Sequence, residues 1–263
     1  MWPGGFPKII GVVSHSRGVG RSTISLNLAL ALSNAGYKTL LIDTDTENPE
    51  LCQLLGIKPG KLGFSDILTG KAKPGETVSK YSANLYVMRG SYPANPVKLT
   101  AMSVLRIAVM SKAFLTNKYD FVVTDNVPPM PNKRFPIPYD TLIVSTPAAL
   151  RKEETQKLKS KYELFRVPND LVINMVKPKD RHLASAEMEE VYGNYILMAL
   201  PYTKRMEECA IKKRPIYLSD RDSAFSRRIR KMAMIYIGRR MGVKGLEKKP
   251  ALLRKIRKVL EED

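Results

Sequence analysis

Cysteine is almost missing. Cys52 and Cys209 are the only two in 263 residues. Their spacing is not that of a metal site, and one pair makes no disulfide framework, so an intracellular, cytoplasmic location is expected. No apolar run approaches the roughly 20 residues a membrane span requires. The opening "MWPGGFPKII" has no basic stretch followed by an apolar one and leads straight into a strand pattern, which predicts against secretion. There is no internal repeat or low-complexity tract. Helix-turn-helix, zinc-finger and RRM signatures are also absent, so sequence-specific reading of nucleic acid is not expected. Acid is the scarcest charge: 25 Asp and Glu stand against 44 Lys and Arg, a net +19.

That charge is concentrated. From Lys204 onward there are 19 basic and 8 acidic residues. A thermophile-like charged surface adds both signs. A one-sided excess points instead to a polyanion, either nucleic acid or an anionic membrane. The 44% hydrophobic content is enough for a buried core, so the chain is not broadly disordered.

Strand and helix patterns alternate. Short β-branched apolar runs occur at "KIIGVV" (8–13), "KTLLID" (38–43), "NLYVM" (84–88), "DFVVTD" (120–125), "TLIVST" (141–146), "DLVINMV" (170–176) and "YILMALP" (195–201). Runs apolar throughout suit strands buried on both faces. Helical patterns cover 21–36, stopped by Gly36, then 64–70 and roughly 97–116. This β-α-β alternation predicts an α/β doubly wound, mostly parallel sheet with helices on both faces. Two segments break the pattern. Residues 126–140 hold five prolines and cannot be ordinary helix. Residues 245–263 form a basic tail after a main domain of 1–244. In it Leu252, Leu253, Ile256, Val259 and Leu260 share one helical face.

"SHSRGVGRST" (14–23) lies between the first strand and the first helix. A glycine-rich turn there lets backbone N–H groups converge on phosphate oxygens, and the helix N-terminus adds positive potential. Gly18 and Gly20 permit close approach. Ser22 sits where a hydroxyl holds Mg²⁺ in a phosphate-binding loop, and the lysine position holds Arg21. Arginine keeps the charge but is planar and bulkier. Asp43, Asp45 and Asp125 end or follow two strands on the side where doubly wound folds bind ligands.

This loop, with "KTLLIDTDTENPELCQLLGI", "GFSDILTG", "NLYVMRG" followed by "PANP", "YDFVVTD", "TLIVSTP", "LVINMV" and "LMALPY", resembles the MinD/ParA family of deviant Walker A ATPases over about residues 8–242. The resemblance implies a P-loop fold binding ATP or ADP with Mg²⁺. Arg17, Gly18, Val19, Gly20, Arg21, Ser22 and Thr23 would cradle the phosphates. Ser22, Asp43 and Asp125 would serve the metal, Asp45 would position the attacking water, and Arg21 would stand in the catalytic lysine's place. Asn174 would read adenine, and Pro201 and Tyr202 would open the loop near the base.

The chain departs from that family in three places. Ser16 replaces the lysine that crosses a dimer interface, with Arg17 one position away from it. Arg21 replaces the second lysine, and a proline-rich stretch follows Asp125. Cations of this kind are worth about 10³–10⁵ in rate, so a degenerate ATPase is expected. DNA is the expected polyanion, bound without sequence preference. Its contacts would be Lys212, Lys213, Arg214, Arg227, Arg228, Arg230, Lys231, Arg239 and Arg240, which can track phosphates without reading bases. The alternatives are an active positioning ATPase that dimerises on ATP, and a scaffold docking on anionic membrane through 245–263. That tail lacks Trp and Phe anchors and ends in "EED", which anionic lipid repels.

Overall fold

A computed structural model describes residues 6–14, 16–97, 114–125, 139–148, 169–180 and 196–241. All seven expected strands form, within one or two residues of the apolar runs. They are β1 (Lys8–Ser14), β2 (Thr39–Asp43), β4 (Leu85–Met88), β5 (Phe121–Asp125), β6 (Tyr139–Ser145), β7 (Asn169–Val176) and β8 (Ile196–Pro201). The sequence pattern missed one, β3 (Val78–Lys80). It is three residues long with a serine and a lysine, and it pairs antiparallel at the sheet edge, where no second neighbour demands an apolar run. The sheet order is β3-β4-β2-β5-β1-β6-β7-β8, parallel apart from that edge pair. The fold class is therefore the expected one.

The order matters for function. β5 lies between β2 and β1, and its last residue, Asp125, is in register with Asp43 on one side and Val12 on the other. The loop after β1 and the carboxylates of β2 and β5 thus meet at one edge of the sheet.

Helix α1 (Arg21–Asn34) lies over that junction. Eleven of its fourteen residues are buried, because it packs on β5 and β2 on one side and on α7 (Ala224–Arg240) on the other. A helix enclosed in this way has to be apolar nearly all round, and "ISLNLALAL" is. Its few polar side chains are satisfied locally. Asn27 Nδ2 donates to the Thr23 carbonyl at 2.7 Å, and Asn27 Oδ1 accepts from the Tyr217 N–H at 2.9 Å. The helix stops as expected at Gly36, whose φ of 94° lets Gly36 N reach the Ser33 carbonyl and Tyr37 N the Leu32 carbonyl. The shorter helices are α2 (Leu51–Leu55), α3 (Phe64–Thr69), α4 (Pro74–Thr77), α5 (Arg205–Ile211) and α6 (Ile216–Ser219). Separate apolar clusters form around α1 with α7 and around Phe64, Ile67 and Leu68, so the sheet is covered on both faces.

The expected helix over 97–116 and the proline-rich segment lie almost wholly outside the described residues, and the tail at 245–263 entirely so. Among the described residues no helix is long and apolar enough to cross a membrane.

The end of α7 is fastened to the sheet by charge. Arg239 makes a two-pronged contact with Asp170 on β7, with Nη2 at 2.9 Å from Oδ1. Tyr236 donates its hydroxyl to the same carboxylate at 2.9 Å. Arg239 also lies 3.5 Å from Asp140 on β6, which holds the buried ammonium of Lys8 on β1 at 2.9 Å. Next to it Arg240 bonds the Asp120 carbonyl and reaches its carboxylate at 2.8 Å, while the guanidinium stacks 5.4 Å from the Phe121 ring centre.

Removing Arg239 strands Asp170 and weakens the hold on Asp140. Breaking a fully buried pair costs about 3–5 kcal/mol. Arg239 is 38% exposed, so Arg239→Ala should cost less, roughly 2 kcal/mol, in urea unfolding. Lys212→Ala, on the open surface, should stay within about 0.5 kcal/mol of the parent.

Candidate functional site

The glycine-rich loop takes the expected shape. Gly18 and Gly20 have φ of 76° and 85°, and Gly20 begins α1. No side chain caps the helix, and its first turn has no acid. Its leading N–H groups have no intrahelical partner and point toward the loop mouth. This is the backbone half of an anion site.

A second feature holds the loop from below. Asn174, completely buried at the end of β7, donates Nδ2 to the Val19 carbonyl at 2.9 Å. Its Oδ1 is buried without a partner. A Cβ on Gly20 would lie 2.3 Å from Asn174 Nδ2, so glycine is required here twice, for its φ and for the close approach. Met175, next in the chain, has φ 59°, and the β7–β8 register is irregular between Ile173 and Val176. That kink turns Asn174 under the loop. The residue expected to read a base therefore props the phosphate loop in this structure. Pro201 ends β8 as expected. Tyr202 follows, with its N–H on the Val176 carbonyl and Lys177 Nζ 5.0 Å above its ring.

The carboxylates converge on Arg21. Its Nη2 donates to Asp45 Oδ2 at 2.8 Å, and its Nε donates to Asp125 Oδ1 at 3.0 Å. Burial works against the guanidinium's charge, but Asp125 and Asp45 outweigh it and the net pKa is raised. Ser25, one turn along α1, adds a hydroxyl at 3.0 Å to the same Asp125 oxygen. Thr44 Oγ1 bonds the Asp125 carbonyl at 2.6 Å. Neither residue was singled out from the sequence. The signal for Ser25 was its spacing, four residues after Arg21 and so on the same helical face.

Asp43 accepts the Leu51 N–H at 3.0 Å and the Asp45 N–H at 3.3 Å. Burial first, then the neighbouring Asp125 charge, pushes its pKa up to about 8. Asp45 caps the turn after β2 by accepting the N–H groups of Glu47 and Asn48 at 3.1 and 2.9 Å. Ser22 is buried at the loop. Arg17 points away, exposed, in a surface pair with Glu47 at 3.1 Å. Ser16 offers only its carbonyl, which accepts from Ser14 Oγ at 3.0 Å.

The expected nucleic-acid residues separate into two groups. Arg239 and Arg240 are the clamps of α7. Arg228 bonds the Ala199 carbonyl at 2.6 Å, Arg230 bonds the Arg221 carbonyl at 2.6 Å, and Lys231 is buried. A helix packed on the sheet directs much of its circumference inward, and these side chains bond within the fold. Lys212, Lys213 and Arg214, by contrast, are consecutive and exposed on the loop after α5, and Arg227 is exposed with its guanidinium on the Asp222 carbonyl.

Comparison with known proteins gives this arrangement a context. Residues 10–216 match the CobQ/CobB/MinD/ParA nucleotide binding domain. The chain is 26% identical to an uncharacterised ATP-binding protein of Methanocaldococcus jannaschii, with 88% of each chain covered. Its fold is similar to the septum site-determining protein MinD of Pyrococcus horikoshii in complex with Mg-ADP. The TM-score is 0.68 at 19% identity, over 88% of this chain and 96% of that one. A ParA family ATPase of Chlorobium tepidum gives a TM-score of 0.68 at 20% identity, covering 86% and 98%.

Gly20→Ala should distort the loop through both its φ and the Asn174 contact. Its cost should exceed the roughly 1 kcal/mol typical of an incompatible Gly→Ala change. In a double-mutant cycle, Asn174→Ala should recover the part due to the clash and leave the part due to φ. Additive costs in chemical unfolding would mean that the Asn174 contact is not the constraint.

Proposed function

The chain belongs to the CobQ/CobB/MinD/ParA nucleotide-binding family, and we propose that it is a degenerate ATPase of that family, holding ATP or ADP weakly and turning it over very slowly. One observation carries this reading. The only cation on the loop in the lysine positions, Arg21, is drawn onto Asp45 and Asp125 at 2.8 and 3.0 Å. Fast phosphoryl transfer depends on cations aimed at the charge that develops on the transferred group. Ser16 supplies none, and Asp45 and Asp125 hold Arg21 in place and offset its charge. The backbone N–H groups and the helix dipole remain, and they favour a bound anion without favouring its transition state.

Phosphate release from purified protein tests the reading. Turnover should lie well below the roughly 1 per second common in enzymes. Ser16→Lys together with Arg21→Lys should raise it, because both transition-state cations are then restored. A parent rate at or above that level removes the degenerate assignment.

A second reading, non-specific DNA binding, is favoured by the exposed run Lys212–Lys213–Arg214. Among the described residues the side chains of this run have no carboxylate partner. With these and Arg227 engaged, the log–log dependence of affinity on salt should have a slope of about −3 to −4. Replacing Lys212, Lys213 and Arg214 by alanine should bring it to about −1 for any sequence. Unchanged affinity in fluorescence anisotropy would leave the basic surface without this role.

A further inference from the structure

The relatives' chemistry implies a magnesium ion between the loop and the carboxylates, and the residues of this chain do not fit one. Magnesium takes six oxygens in near-ideal octahedral geometry at about 2.0–2.1 Å. P-loop proteins offer it the loop hydroxyl and the aspartate at the end of the strand beside it. Here that aspartate, Asp125, has Oδ1 occupied by Arg21 Nε and Ser25 Oγ, both at 3.0 Å. Asp45 Oδ2 faces Arg21 Nη2 at 2.8 Å, and Asp45 Oδ1 holds two backbone N–H groups. Both oxygens of Asp43 are bonded to backbone N–H groups. Only Asp125 Oδ2 is left without a partner. A divalent ion at Asp125 would also lie beside a permanent guanidinium charge in a buried setting, where repulsion between cations is weakly screened.

We propose that Arg21 is the cation of this site in place of the metal, so that the loop binds a nucleoside di- or triphosphate without a divalent ion. The inference rests on the nucleotide reading above and deepens it. Guanidinium geometry suits the task. Arginine has five N–H donors in a rigid fork. Two of them hold Asp45 and Asp125. Both donors of Nη1 and the second of Nη2 remain for phosphate oxygens, alongside the N–H groups at the start of α1. Arg21 is itself the first residue of that helix, so its charge and the backbone donors arrive at the mouth on one rigid element. The side chain is 16% exposed, which leaves it in reach of a ligand at the mouth while its pairing with the carboxylates fixes its orientation. A metal-dependent site bridges carboxylate and phosphate through the ion. Here one side chain makes that bridge.

Two measurements on the full chain, stripped of nucleotide, test this. The first is ADP affinity by calorimetry in Mg²⁺ and in EDTA. The two values should agree within about twofold, whereas Arg21→Lys should bind more tightly in Mg²⁺ by about tenfold, equivalent to about 1.4 kcal/mol. A tenfold gain with Mg²⁺ in the parent protein overturns the proposal. The second is Mn²⁺ alone, followed by electron paramagnetic resonance. The parent should leave Mn²⁺ free, and Arg21→Met should bind it, because Asp45 and Asp125 are then unpaired. Equal Mn²⁺ binding by parent and variant overturns the proposal. If ADP binds under neither condition, the nucleotide reading fails, and the Mn²⁺ measurement still decides whether Arg21 excludes the metal. Arg21→Gln, which also removes the charge but keeps a polar side chain, serves in the same Mn²⁺ titration if Arg21→Met does not fold.

Discussion

One half-buried cation organises the functional end of this protein. Arg21 lies between Asp45, in the turn after β2, and Asp125, at the end of β5. Without it both acids would face each other and Asp43 in a poorly solvated space. Electrostatic strain is already visible in Asp43, whose pKa is pushed up to about 8 by burial and by Asp125. The guanidinium ties the start of α1 to the ends of β2 and β5, and so fixes the orientation of the loop that precedes α1. Asn174 holds the other side of that loop from β7. The phosphate loop is thus suspended between two halves of the sheet, by an ion pair on one side and a neutral hydrogen bond on the other.

Further from the site, charge does structural work that the total charge conceals. The arginines at the end of α7 look like part of a polyanion-binding surface when counted. In the fold Arg239 completes a network with Asp170, Asp140, Tyr236 and Lys8, and Arg240 closes on Asp120. The network ties α7 to the sheet, α7 packs on α1, and α1 carries the loop. Stability and site geometry are therefore linked through one helix stack. The exposed basic run at 212–214 stands outside that network.

The strands were legible in the sequence because parallel strands buried on both faces have to be apolar at successive positions, as "KIIGVV" and "DFVVTD" are. The helix stop at Gly36 was legible because a left-handed residue at that position favours glycine. β3 was not legible, since an edge strand of three residues needs no apolar run. The loop, Ser22 and the aspartates were legible by type and spacing, whereas Ser25 and Thr44 were not. Spacing put Ser25 on the helical face of Arg21, but which acid that face meets was decided only when β5 was placed beside α1, and Thr44 in its turn had no such pattern.

The sequence by itself determined the alternation of strand and helix, the glycine positions of the loop, and the replacement of its lysines by Ser16 and Arg21. These are local properties, decided by side-chain volume, backbone freedom and formal charge. What the charges do depends on contacts between residues far apart in the chain. Asp125 is 104 residues from Arg21, and Asp170 is 69 from Arg239. An arginine is equally able to hold a phosphate, a carboxylate or water, and the choice falls to whichever the fold places within about 3 Å of its N–H groups. In this chain the sheet order sets Asp45 and Asp125 before Arg21, and the packing of α7 sets Asp170 before Arg239.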